Sequence, residues 1–203
     1  MGEEVNQREA LRQRLSQLLS THHEHLSPSS WQAERGTVVI EQGATADTVL
    51  LVQSGELGVE TIDEQGTATL VATVRSGELL GEMGLFGDCR HSARVTVTSA
   101  NASLLKLSSD ALLQAVMFDA ELALELLALN THRCQQGNHH LSLILEALRA
   151  LQNGREDSLT TCCTALSTGP ANLQEAAQLL QDLFHRIQRH TAEVSTTSIS
   201  PSP

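Results

Sequence analysis

Residues 34–59 read ERGTVVIEQGATADTVLLVQSGELGV. Short runs of Val, Ile, Leu and Thr alternate there with Gly36, Gly43, Asp47 and Gly55. Each run is too short for a helix and is closed by a residue that takes turn conformations, so the stretch predicts strands joined by tight turns. The same texture continues to Ser108 through TATLVATV, ARVTVTS and ASLLKLS, with Gly66 and Gly77 at further joints. No helical segment long enough to make a right-handed crossover interrupts it. Antiparallel pairing in a sandwich or jelly roll follows, in place of a parallel α/β sheet.

Both flanks change period. Leu11, Leu15, Leu18 and Leu19 fall on one face of a helix predicted from Glu3 to Thr21, with Arg, Gln and Glu opposite. Pro28 and the serines of HHEHLSPSS end it. On the other side, Ser and Asp of SSDALLQAV suit a helix start, and the segment from Asp119 to Gln152 is Leu-rich at helical spacing. Its residues Leu124, Leu127, Thr131, Cys134, Asn138, Leu141, Leu145 and Leu148 follow alternating steps of three and four. That spacing is a coiled-coil seam, in which one Asn fixes register and the dimeric state. The competing reading packs the same face back on the sheet, with Gly137 breaking the helix.

Beyond Gln152, NGREDSLTTCCTALSTGP reads as a connector. A second amphipathic helix follows Pro170, with Leu173, Ala176, Leu180, Leu183 and Ile187 aligned. The Ser/Thr/Pro-rich end reads as a disordered tail. The chain therefore divides into an N-terminal amphipathic helix and linker (1–30), a roll of strands (31–118), a long helix forming a dimer seam (119–152), a connector with an amphipathic helix (153–192) and a tail (193–203). The expected class is α+β: an antiparallel, jelly-roll-like β-roll flanked by N-terminal and long C-terminal helices.

Composition narrows the function. A formal net charge of −11 repels a phosphate backbone, and 2% aromatic residues leave few platforms for stacking bases, so nucleic acid is an unsuitable partner. No apolar run reaches the roughly 18 residues that span a bilayer, and the charged N-terminus lacks a secretory h-region, so a cytoplasmic protein without membrane insertion is expected. The cysteines Cys89, Cys134, Cys162 and Cys163 match neither metal hooks nor a disulfide framework and read as reduced thiols. The histidines at 22, 23, 25, 132, 139 and 140 lack companions at ligand spacing, so no metal is expected.

Chemistry concentrates in residues 77–95, GELLGEMGLFGDCRHSARV. Gly81, Gly84 and Gly87 do not form a GxGxxG turn between a strand and a helix, and neither GK[ST] nor GxSxG occurs. Catalysis has no foothold, and no enzyme is expected. A turn of small residues instead lets backbone N–H groups approach an anion, beside a carboxylate that can accept from a sugar hydroxyl and guanidinium groups that can pair with phosphate. Sugar and phosphate together suggest a nucleotide.

These residues resemble the cyclic-nucleotide-binding domain family, that of the catabolite activator proteins and the regulatory subunits of cyclic-AMP-dependent kinase, here without a DNA-binding domain. The resemblance runs from about Trp31 to Asn138 and rests on the 34–59 pattern and on GEMGLFGDCRHSARV. It implies an eight-stranded β-roll, a ribose contact from Glu82, amide contacts to the cyclic phosphate from Gly81, Met83 and Gly84, and a small residue at Ser92. Where the family pairs an Arg with the phosphate, this chain has His91, preceded by Arg90; a one-residue shift would let Arg90 make the contact, His91 would supply a pH-dependent charge, and Arg94, which shares a side with Arg90 and Ser92 in extended chain, is the third candidate. Asn138 lies near the positions that cap the base, and its amide can hydrogen-bond a purine edge.

The resemblance implies a regulatory module that binds a cyclic nucleotide, cyclic AMP, forms a homodimer and signals through its C-terminal helices to a protein partner. No further cofactor is implied. The alternative is a degenerate domain acting as a ligand-free interaction scaffold. A transcription factor would need a basic recognition helix after Gln152, which the residues do not supply.

Overall fold

The computed structural model describes residues 2–197, which form two compact units, one ending at Cys134 and one beginning at Gln135. The first holds helices α1 (Gly2–Thr21) and α2 (His23–Leu26), strands β1 (Ser29–Glu34), β2 (Val38–Ile40), β3 (Thr48–Ser54), β4 (Glu56–Ile62), β5 (Ala68–Arg75), β6 (Leu79–Leu80), β7 (Arg94–Val97) and β8 (Asn101–Ser108), then α3 (Ser109–Phe118). Helix α4 (Ala120–Gln152) starts in this unit and ends in the next. All strand pairs are antiparallel, in two four-stranded sheets of order β1-β8-β3-β6 and β2-β7-β4-β5. The expected α+β roll is what the chain forms.

The first sheet is covered on both faces, which explains the unbroken apolar run of β3. Leu50 and Val52 point between the sheets, where they meet Leu80, Ala102 and Leu104 with Ile40, Leu57, Val74, Val95 and Val97 of the second sheet. Val49 and Leu51 point the other way, with Leu79 and Leu107, into a layer built by Leu15 and Leu19 of α1, Leu112 of α3, and Leu122 and Leu126 of α4. Successive strand residues face opposite sides, so a strand buried on both sides must be apolar at every position. Each fully buried Leu contributes about 1.5–3 kcal/mol relative to exposure.

Polar contacts fix α1 in that outer layer. Arg12 pairs with the buried carboxylate of Glu78, which also accepts from the Arg75 amide at 2.9 Å. Arg14 lies 2.8 Å from Glu125 of α4, and His22 lies 2.7 Å from Asp119, the residue between α3 and α4. Asp119 also accepts from the amides of Glu121 (2.8 Å) and Leu122 (3.1 Å), answering free N–H groups of the first turn of α4. His22 and these amides hold its carboxyl below the usual aspartate range.

The second unit joins the last turns of α4 to α5 (Glu156–Ser167) and α6 (Ala171–Thr197). Ala147 and Ala150 pack with Leu159, Cys162, Cys163, Leu166, Leu173, Ala177, Leu180 and Phe184. Burial pushes the thiols of Cys162 and Cys163 up, as expected of reduced packing residues.

Several sequence expectations need correction. The 153–170 connector contains α5, whose Leu159, Cys162, Cys163 and Leu166 keep helical spacing despite the threonines between them. The 1–30 segment gives up Ser29 and Ser30 to β1, an edge strand paired with β8 from Ser29↔Lys106 to Glu34↔Asn101. On α6 the buried face runs through Leu173, Ala177, Leu180 and Phe184, while Leu183 and Ile187 are exposed. This helix continues to Thr197, into the stretch read as a tail; residues 198–203 of that tail lie outside the described residues. Helix α4 is unbroken at Gly137.

Leu104 lies between the sheets with no exposed surface. Leu104→Ala should lower stability by about 2–5 kcal/mol through lost burial plus a residual cavity, measured as a shift in the urea midpoint at unchanged slope.

Candidate functional site

After β6 the chain turns at Gly81, whose φ is +86°, and enters a 3₁₀ turn, Glu82–Phe86. A Cβ at Gly81 would stand 2.9 Å from the Thr48 carbonyl oxygen and 3.0 Å from Cε1 of His91, so both φ and space demand glycine. A Cβ at Gly84 would stand 2.5 Å from that of Ala46 and 2.8 Å from the Arg90 carbonyl oxygen. The 3₁₀ turn therefore lies directly against Ala46 and Arg90, in the segments 43–47 and 89–91. Those two segments are laced together: Gly43 donates to the His91 carbonyl (2.7 Å), His91 to Ala44 (2.9 Å) and Ala46 to Cys89 (2.9 Å). Ser109 Oγ ties the Ala46 carbonyl to the start of α3 at 2.7 Å.

Glu82, first in the 3₁₀ turn, is 0% exposed. Its Oε1 accepts from Nη1 of Arg133 on α4, and Nη2 of Arg133 donates to the Leu79 carbonyl at 2.7 Å. Its Oε2 is buried with no hydrogen-bond partner among the described residues. Burial pushes the Glu82 carboxyl up, and Arg133 with the residue's own amide draws it back only partway. A carboxylate oxygen desolvated in this way is costly unless a donor meets it.

The cationic side chains divide. Arg90 donates through Nη1 to the Gly43 carbonyl at 2.7 Å, and Arg94 through Nε to Glu41 at 3.0 Å. The imidazole of His91, 7% exposed as a residue, packs against the Gly81 turn. Burial lowers its pKa, and the carboxylate of Asp47 raises it in part.

Gly81, Glu82, Gly84 and His91 are thus brought to one turn, with the Arg90 main chain against Gly84. Met83 is exposed on the 3₁₀ turn, and Ser92 is exposed just after His91. Asn138 is exposed on the part of α4 that belongs to the second unit. Arg133 was not singled out in the sequence. It lies 51 positions from Glu82, in a helix whose dominant signal is its leucines, and no local motif marks it.

Comparison with known proteins adds the following. Residues 31–118 match the family model described as "Cyclic nucleotide-binding domain". A transcriptional regulator from Thermotoga maritima is similar at 20% identity, over 58% of this chain and 92% of that one, with a TM-score of 0.52. The sensor domain of the transcriptional regulator DNR from Pseudomonas aeruginosa is similar at 23% identity, over 63% and 93%, with a TM-score of 0.50. These two share the fold. The regulatory domain of Toxoplasma gondii PKA, crystallised with cAMP, gives 26% identity over 54% and 44%, with a TM-score of 0.44. No curated protein matches the sequence.

Arg133→Ala should destabilise the first unit by about 1–3 kcal/mol, because it leaves a buried carboxylate unanswered. The sign with pH follows from the raised Glu82 pKa. Its stability contribution is complete below the unfolded glutamate value and is lost as pH rises through the folded value. Removing Arg133 raises the folded value further. Urea denaturation should therefore show a larger deficit relative to wild type at pH 8 than at pH 5.

Proposed function

Because residues 31–118 belong to the cyclic nucleotide-binding domain family, we propose that this chain is a cytosolic, non-catalytic regulatory module that binds cyclic AMP in the β-roll and signals through its C-terminal helices to a protein partner. The observation that carries this reading is the inward-facing Glu82, whose Oε2 is buried and unanswered. The ribose hydroxyl of the nucleotide donates to that oxygen. The amides of Gly81, Met83 and Gly84 meet the cyclic phosphate, and Arg90, His91 and Ser92 border it.

Arg133 gives such binding a route out of the roll, since the guanidinium that holds Glu82 belongs to α4. A ligand that donates to Oε2 changes the balance of charge and hydrogen bonding at the carboxylate and favours the arrangement of α4 in which Arg133 serves it best. The shift is bounded by the difference in ligand affinity between the arrangements.

A ligand-free scaffold is the second reading, and one observation favours it: Arg90 and Arg94 are both engaged away from the turn. Titration calorimetry with cyclic AMP and cyclic GMP separates the two. Saturable heat from the wild type and an affinity loss of at least tenfold in Glu82→Gln are expected for the sensor. Absence of heat up to millimolar nucleotide favours the scaffold.

The homodimer rests on α4. In the first unit Leu124, Leu127, Thr131 and Cys134 are exposed, and in the second Asn138, Leu141, Leu145 and Leu148 are exposed. None of these side chains is packed back on a sheet, and their three-four spacing suits a parallel partner helix. Leu127→Glu with Leu145→Glu should convert a sedimenting dimer to monomer without loss of helical circular dichroism.

A further inference from the structure

An anion seated at the Gly81 turn requires a positive counter-charge, and the arginines nearby are diverted. Arg90 is spent on the Gly43 carbonyl, Arg94 on Glu41 and Arg133 on Glu82 and the Leu79 carbonyl. What packs against the turn itself is the His91 imidazole, whose Cε1 is 3.0 Å from the place a Gly81 side chain would take. The His91 backbone is fixed on both sides by its hydrogen bonds to Gly43 and Ala44, and its side chain is buried against the turn.

We propose that nucleotide binding to this chain is proton-linked through His91: the imidazole takes up a proton as the anionic cyclic phosphate arrives, and affinity rises as pH falls. The inference rests on the cyclic nucleotide reading given above and concerns the regulation of that same site.

The charged groups around the ring set the direction. Asp47, before β3, is the carboxylate that acts on His91, and its Oδ1 also accepts from the Thr48 hydroxyl at 2.9 Å. Glu82, across the turn, is paired with Arg133 through Oε1 only, and burial holds its carboxyl above the usual range. Asp88 accepts from the Arg90 amide at 3.2 Å, and Glu41 is paired with Arg94. In the free protein burial outweighs Asp47 and favours the neutral ring. A phosphate oxygen against the ring reverses that balance, since an adjacent anion favours the charged form.

Linkage then fixes the sign. Below the free-state pKa the ring is already charged and affinity is at its maximum. Between the free and bound values affinity falls with rising pH, by up to about tenfold per unit for one proton, and above the bound value it levels off.

The test is titration calorimetry of the full chain with cyclic AMP from pH 5.5 to 8.0, in buffers of different ionisation enthalpy. Wild type should bind at least tenfold more tightly at pH 5.5 than at pH 8.0, with net proton uptake between those limits. Both effects should vanish in His91→Gln, which removes the titrating group, and in His91→Arg, which carries a permanent charge. Thermal melts of each variant identify any that fails to fold, and the other then decides. Binding with a flat pH profile, or a slope that survives His91→Gln, overturns the proton linkage and leaves the cyclic nucleotide reading intact. No binding by wild type at any pH overturns both.

Discussion

A glutamate carboxylate withdrawn wholly from water is the constraint around which the site is arranged. Glu82 reaches that position because Gly81 adopts a left-handed conformation that another residue would resist, and because Gly84 lets the 3₁₀ turn lie flat against Ala46 and Arg90. The carboxylate survives there because Arg133 arrives from α4 and answers one oxygen. The other oxygen is buried with no hydrogen-bond partner among the described residues. Local backbone geometry and helix packing therefore meet in one side chain.

The rest of the roll serves to hold that turn still. β3 is buried on both faces, so the sheet that carries β6 into Gly81 is pressed between the second sheet and the helical layer. The bonds from Gly43 and Ala46 to His91 and Cys89 then fix the segments that face the turn. Burial of that sheet on two faces restrains the turn that follows β6.

Much of the roll was legible because strand chemistry is local: short aliphatic and Thr-rich runs, alternating or continuous, punctuated by Gly and Asp, identify β2 to β5, β7 and β8. β1 escaped because SSWQAE is largely polar, and only its pairing with β8 makes it a strand. The helix α5 escaped although Leu159, Cys162, Cys163 and Leu166 carry a helical period, because the β-branched threonines and paired cysteines obscured it. The turn at Gly81 and Gly84 was readable because closely spaced glycines mark it within a few residues. Arg133 was not, because its role exists only once α4 has packed near the roll. The positions of Arg90 and Arg94 depend likewise on partners at 43 and 41, too remote in sequence for residue type to reveal.

Helix α1 has a consequence for how the domain is delimited. Its leucines line the same layer as Leu107, Leu112 and Leu122, and Arg12, Arg14 and His22 fasten it to three separate places. The region recognised by family likeness begins only at residue 31. A fragment cut there would lose one wall of its interior and the Arg12 contact to Glu78, so the packed core extends beyond the recognisable region.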